Sequence, residues 1–230
     1  WKEGAIEGEQ IRSRAARRIA HAIARAQSGQ RRSGGRGYAE LLTMRVIAGL
    51  AGGVRLSVPK TGVRPTMDRV KAAIFSSLGD TIIGARVLDL FAGSGALGIE
   101  ALSRGASFAL FVENDRQSIA AIEQNLARTG LQGHLRKQDV FVFLRGMPSG
   151  QEFRIIFADP PYHRTGSEVC ITKKLLTCTK LAEILEPRGL FVLEKHPGEK
   201  MPDTPFWKVR RAKVYGATEV LFLQARDVSC

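Results

Sequence analysis

"ARVLDLFAGSGALGIEALSRG", residues 85–105, decides the fold. Val87, Leu88, Leu90 and Phe91 form an apolar strand interrupted only by Asp89. Gly93-Ser94-Gly95-Ala96-Leu97-Gly98 then matches GxGxxG, and the chain continues as a helix from Gly95 to Arg104 that Gly105 stops. Glycines at such a turn permit the tight reversal and let a ligand approach bare backbone. A side chain at Gly95 is therefore expected to occupy ligand space. A strand, a Gly-rich turn and a helix in that order make one unit of a parallel sheet covered by helices.

The alternation continues downstream. "FALFVE" (108–113) is predicted as a second strand, followed by a helix from Arg116 to about Thr129 that stops at Gly130. "HLRKQD" (134–139) reads as a third, more polar strand and "FRIIFA" (153–158) as a fourth, strongly apolar one. A helix over 168–185, a turn at Pro187-Arg188-Gly189 and a strand in "LFVLEK" (190–195) follow, and "FWKVRRAKVYGATEVLFLQA" (206–225) reads as two strands around Gly216. The expected fold is α/β: a Rossmann-like, doubly wound, mostly parallel seven-stranded sheet with an antiparallel terminal hairpin and right-handed crossovers.

Upstream, Arg45 to Ala48 and Val54 to Val58 flank a Gly-rich turn, a hairpin signal. "RPTMDRVKAAIFSSLG" (64–79) then offers Thr66 as a helix N-cap, Val70, Ile74 and Leu78 on one face, and Gly79 as the stop. Hairpin and helix together make an expected N-terminal cap over 44–85, ahead of a main domain over 86–230. Residues 1–43 differ from both. Ile11, Ala15, Ile19, Ala22, Ile23 and Ala26 fall within an arc of about 120° on a helical wheel, with Arg14, Arg17, Arg18 and Arg25 opposite. This basic amphipathic helix is followed by a flexible linker, "SGQRRSGGRG" (28–37). It reads as an arm that grasps a polyanion, as a targeting remnant or as an idle extension. Glu3, Glu7 and Glu9 argue against a transit peptide.

At 230 residues with 35 Lys and Arg against 22 Asp and Glu, the chain carries +13, which favours a polyanionic partner such as nucleic acid. Cys170, Cys178 and Cys230 form no CxxC and have no His at metal spacing, so zinc, other metals and a disulfide framework are not expected, in keeping with a reducing cytoplasm. No apolar run approaches the ~18 residues that span a bilayer, so no membrane role is expected. The chain starts at Trp1 without a methionine, which leaves room for a start upstream.

Alone, GxGxxG suggests a dinucleotide. Two features turn it toward S-adenosylmethionine. Asp89 ends the first strand four residues before Gly93, where a carboxylate meets a ligand's ammonium and repels a pyrophosphate. Glu113 ends the second strand eighteen residues after Gly95 and can accept both ribose hydroxyls, which fits either ligand. Phe91 and Asn114, beside these two acids, are assigned to the cofactor site with them. Asp139, after the third strand, is either a contact to the adenine amino group or a helix N-cap.

Asp159-Pro160-Pro161-Tyr162, where the fourth strand ends, decides between the ligands. The carboxyl ends of the strands of an open α/β sheet form its binding crevice. Prolines fix φ and remove donors, leaving carbonyls that only accept. Asp159 and the Pro160 carbonyl can accept the two hydrogens of an exocyclic or amide nitrogen and aim it at a methyl donor, while the Tyr162 ring stacks on a base. Displacement at a sulfonium needs mainly alignment and desolvation. Whether Asp159 also takes the proton is left open by the sequence.

Over 44–230 the chain resembles the RsmD family of bacterial 16S ribosomal RNA (guanine-N2)-methyltransferases, within the class I S-adenosylmethionine-dependent methyltransferases. "RVIAG", "RPTMDRVKAAIF", "LDLFAGSGALGIEALSRGA", "FVENDR", "DPPY" and "VYGATEV" carry the resemblance. Met67 stands where the family more often has Thr, and residues 1–43 lie outside the match. The resemblance implies methyl transfer from S-adenosylmethionine, with S-adenosylhomocysteine as product, to N2 of one guanine in 16S rRNA within a small-subunit assembly particle. Arg45, Arg64 and Arg69 in the cap, with His163 and Arg164 beyond DPPY, are candidate RNA contacts. The rival readings are an amino-methyltransferase acting on adenine N6 of DNA or RNA or on a protein glutamine amide, an NAD(P)-dependent oxidoreductase that would leave DPPY idle, and a non-catalytic RNA-binding assembly factor.

Overall fold

A computed structural model describes residues 44–59, 67–148, 150–161 and 171–226. The expectations for 1–43 and for Arg64, Thr66, Tyr162, His163 and Arg164 lie outside the described residues. The elements are α1 (Met67–Leu78), β1 (Arg86–Leu90), α2 (Ala96–Ser103), β2 (Phe108–Glu113), α3 (Arg116–Thr129), β3 (His134–Lys137), α4 (Val140–Arg145), β4 (Phe153–Ala158), α5 (Ile171–Leu176), α6 (Thr179–Glu183), β5 (Leu185–Lys195), β6 (Trp207–Tyr215) and β7 (Thr218–Ala225).

The strands order as β3-β2-β1-β4-β5-β7-β6; neighbours among β1 to β5 are parallel, and β7 runs antiparallel to both β5 and β6. Strand alternation sorts the core into two layers. Val87, Phe111, Ile155, Phe157 and Val192 face the cap and α2, packing with Val70, Ile74, Phe75 and Ile99. Leu88, Leu90, Val112, Ile156 and Leu193 face the other way, onto Phe143, Leu144, Leu175 and Leu181 of α4, α5 and α6. Strands covered on both faces read as near-continuous apolar runs, and β1, β2 and β4 do so apart from Arg86, Asp89, Glu113 and Arg154.

Local chemistry sets several element ends. Asp115 caps α3, its carboxylate accepting from Ser118 N at 2.8 Å, and Gly130 ends that helix at φ 67°. Fully exposed Asp115 is shifted below the ordinary carboxylate pKa by that hydrogen bond.

The segment 44–58 is less regular than a hairpin ladder. It has one bridge, Arg45 to Arg55, with Val46 N donating to Val54 O at 2.9 Å and Leu56 N to Met44 O at 2.8 Å. Several of its other amides turn to α2 instead. Ile47 N and Ala48 N donate to the Glu100 carboxylate at 2.7 and 3.1 Å, and Ala51 N donates to Ser103 Oγ at 2.9 Å. Gly49, at φ 86°, lies so close to α2 that a Cβ there would meet Ser103 O at 1.9 Å. Glu100 is fully buried and also accepts from Arg104 Nε at 2.6 Å, with Lys71 Nζ 3.7 Å away. A buried carboxylate is tolerable only when so fully partnered.

Two further expectations differ in detail. The helix expected over 168–185 is, in its described part, two short helices broken at Thr177 and Cys178, and Leu185 already belongs to β5. The Pro187-Arg188-Gly189 turn is an irregularity inside β5: Phe153 pairs with Leu185 but Ile155 with Leu190, and Arg188 takes φ 64°. Proline lacks the donor a regular ladder needs, so the chain loops out there and rejoins. The segment "VFVFLR", Val- and Phe-rich, forms α4 with Asp139 as its N-cap.

Candidate active site

The parallel strands deliver their carboxyl ends to one cavity of about 590 Å³, roofed by Met44, Val58, Met67 and Lys71 of the cap segment and α1. Register explains which side chains reach it. Leu90 pairs with Val112 and with Ala158, and Ala158 with Leu193, so Glu113, Asp159 and Glu194 leave their strands at one level. By alternation all three emerge on the cap side, as does Asp89 one step deeper in β1. All four carboxylates line the cavity.

Each acid is held differently. Asp89 is 2% exposed, and its Oδ2 accepts from Gly98 N at 2.9 Å. Burial pushes its carboxyl up to about 8, the negative charges of Asp159 and Glu113 add to the rise, and the Gly98 hydrogen bond only partly offsets it. Glu113 stitches the Gly-rich loop to β2: Oε2 accepts from Gly93 N at 2.8 Å, while Oε1 accepts from Asn114 N at 2.8 Å and Asp115 N at 2.9 Å. Oε2 retains a lone pair for a ligand. Asp159 is half-buried, between buried Ala158 and Pro160. The cation on the roof, Lys71, has its pKa lowered by desolvation against the pull of Glu100 and Asp68, and its Nζ donates to Arg45 O.

The turn after β1 depends on two unusual backbones. Phe91 sits at φ 54°, which costs a β-carbon-bearing residue about 1 kcal/mol or more. That conformation packs its ring against Phe141 at 6.3 Å on the far layer, ending the strand. Gly93, at φ 55°, has nothing but Phe91 O at 4.0 Å near a would-be Cβ, so it is the glycine that bares backbone to the cavity.

Asp89, Phe91, Gly93, Glu113, Asn114, Asp159 and Pro160 thus converge on one cavity. Gly95 does not line it. Its φ of 75° is one that side-chain-bearing residues rarely adopt, and a Cβ there would meet Ile122, Ile99 and Phe111 at 3.2–3.3 Å, so backbone and core packing both call for glycine. Asp139 is also outside the lining; its Oδ1 accepts from Phe141 N and Val142 N, both at 2.9 Å, the N-cap half of the expectation. Arg45 and Arg69 are exposed on the cap side, Arg45 Nε lying 3.9 Å from Asp68.

Lys71, Glu194, Thr218 and Asn125 escaped the sequence reading. Fully buried Asn125 of α3 accepts from Ser57 N at 2.7 Å and donates to Ser57 O and Ser94 O at 2.9 Å, tying the Gly-rich loop to the cap. Only Glu194 had a legible signal, an acid closing an apolar strand as Glu113 does.

Charge separates inside from outside. The cavity is rich in carboxylates while the chain as a whole carries +13. Edge strand β6 exposes Lys208, Arg210, Arg211 and Lys213 in succession, and none of them is ion-paired to a described residue. Such a molecule suits a small cationic ligand within and a polyanion against its surface. No group of His, Cys, Asp and Glu among the described residues could hold a metal ion. Nor is any described helix long and apolar enough to cross a membrane.

Comparison with known proteins agrees with this architecture. The family described as "Conserved hypothetical protein 95" matches residues 44–224. YlbH of Bacillus subtilis is 39% identical over 188 residues, covering 80% of this chain and 100% of that one. Ribosomal RNA small subunit methyltransferase D of Escherichia coli is 36% identical over 177 residues, 75% of this chain and 85% of the relative. The solved structure of the Escherichia coli yhhF protein superposes with a TM-score of 0.67 at 33% identity, covering 80% of this chain and 98% of that one.

Proposed function

The chain belongs to the RsmD family, and from that premise we propose that it transfers a methyl group from S-adenosylmethionine to the exocyclic N2 amine of one guanine in 16S rRNA. The observation that carries the proposal is the placing of Asp159-Pro160 at the end of β4, in the same cavity as Asp89 and Glu113. Two carboxylates serve a cationic nucleoside and a third, followed by proline, serves an amine.

The cavity suits that methyl donor. Asp89 offers a buried carboxyl whose ionisation an ammonium would favour, Glu113 a free lone pair to its ribose, and Gly93 bare backbone beside both. When bound, the sulfonium supplies an activated methyl group. The chain's own contribution is to orient and to exclude water. Asp159 and the Pro160 carbonyl accept the hydrogens of the amine, and Asp159 stabilises the positive charge that grows on nitrogen as it is alkylated. The cap closes over both reactants, so their alignment supplies most of the acceleration. RNA is held outside by the basic surface, with the guanine presented in the cytoplasm within a small-subunit assembly particle.

Two measurements test the ligands separately. Glu113→Ala is expected to weaken S-adenosylmethionine by about 1.5 to 3 kcal/mol, the scale of losing charge-assisted hydrogen bonds in a loop it also organises. Unchanged affinity by calorimetry removes Glu113 from the site. For RNA, Arg69→Ala is expected to lower the log-log salt slope of binding by about one unit, and the Arg210→Ala, Arg211→Ala pair by about two, without moving S-adenosylmethionine affinity. A slope that stays constant in a variant takes that face out of the RNA contact.

A further inference from the structure

One residue before the end of β5, Glu194 stands at the level across the sheet that Glu113 holds at the end of β2. Ala158 pairs with Leu193, so Asp159 and Glu194 are the next residues on adjacent strands, about 4.8 Å apart. Phe157 and Val192 face the cap layer while Ala158 and Leu193 face the other, which sends Asp159 and Glu194 out together on the cap side. Across the sheet the acids run Glu113, Asp89, Asp159, Glu194. The first two are the cofactor's, so Glu194 lies beyond the amine-binding Asp159, on the side away from the cofactor.

The strand end that carries Glu194 is pinned. The next residue, Lys195, is 2% exposed, and its Nζ donates to Glu219 Oε2 at 2.7 Å, to His196 O at 3.0 Å and to Glu199 O at 2.7 Å. Thr218, at the facing start of β7, also lines the cavity. A carboxylate on so fixed a backbone can discriminate, because it cannot drift to accommodate a mismatch.

From this placement we infer that Glu194 selects the base, accepting the N1–H of a guanine whose N2 amine rests on Asp159 and Pro160. The inference rests on the function proposed above and sharpens it. In guanine N1–H is the donor immediately beside the N2 amine, so one base edge offers donors to two neighbouring carboxylates. A purine with an unprotonated N1 sets a lone pair against Glu194 instead, and a site built to receive a donor rejects the analogue that lacks it.

The purine 2,6-diaminopurine separates the two contacts, because it keeps the exocyclic N2 amine while its N1 is an acceptor. Tritium transfer is measured to small-subunit rRNA carrying guanine or diaminopurine at the target position, alongside calorimetry of S-adenosylmethionine. The wild-type protein is expected to prefer guanine by roughly 10²-fold, and Glu194→Gln, whose amide can donate to N1, to narrow that preference by about tenfold or more. Cofactor affinity stays constant. A merely structural role would slow both acceptors alike, so an unchanged ratio overturns the inference. A Glu194→Gln variant that loses S-adenosylmethionine instead assigns Glu194 to the cofactor and also overturns it. Wild-type protein that methylates neither acceptor brings down the proposed function itself, and this inference with it.

Discussion

Asp159→Ala is expected to bind S-adenosylmethionine like the wild type and to transfer methyl groups at least ~10²-fold more slowly. The residue ends β4 where Pro160 and Pro161 follow, so the backbone beyond it has no amide hydrogens to offer and only acceptors face the incoming amine. Its interaction with that amine strengthens as nitrogen becomes positive, so the loss falls on the transition state rather than on cofactor binding. The contacts proposed for the cofactor belong to β1 and β2, one and two strands away. Calorimetry and single-turnover tritium transfer on the same preparation separate the two effects. Transfer at near wild-type rate sinks the amine-orienting role.

Asp89→Asn is expected to act with opposite signs on stability and on binding. Burial raises the Asp89 carboxyl from 3.8 to about 8 in the folded protein. A folded-state pKa above the unfolded value means that the folded chain holds the proton more tightly between those limits. The contribution of Asp89 to stability is therefore fully present below about pH 4 and is lost as pH rises through about 8. Asparagine cannot ionise and can still accept from Gly98 N, so the variant should melt above the wild type at pH 8 to 9, with little difference near pH 4. The same substitution removes the buried charge that a cationic ligand requires, and S-adenosylmethionine affinity should fall ~10²-fold or more. Wild-type affinity should also rise with pH up to about 8 as Asp89 ionises, a dependence the variant should lack. A variant that is stabilised yet binds with native affinity shows that Asp89 does not face the ammonium.

What the sequence made legible, and what it hid, divides along contact range. Helix α3 was legible from Arg116 to its stop at Gly130, a signal that lies at the helix end itself, and the apolar runs of β1, β2 and β4 reflect burial on both faces. That Asp89, Glu113 and Asp159 line one cavity was legible because a strand's carboxyl end is a fixed place in this fold. The hidden parts act at long range. Nothing near Glu100 tells that it receives two amides from residues more than fifty positions earlier, and Asn125 joins Ser57 to Ser94 from the middle of an amphipathic helix. At Gly95 the motif names a glycine, but only the packing of Ile99, Phe111 and Ile122 reveals which way its missing side chain would have pointed. The irregular β5 was missed because Pro-Arg-Gly reads as a turn, whereas the strand resumes its pairing with β4 after looping out.

One measurement bears on the central claim most directly: nucleoside-resolved mass mapping of 16S rRNA from cells with and without this protein. Enzymatic digestion and fragmentation distinguish methylation at N2 of guanine from methylation at other atoms or other bases. A single N2-methylguanine that disappears on deletion, and returns with the wild-type protein but not with Asp159→Ala, is the predicted result. An unchanged set of methylated guanines, or a lost methyl group on another base, contradicts the account.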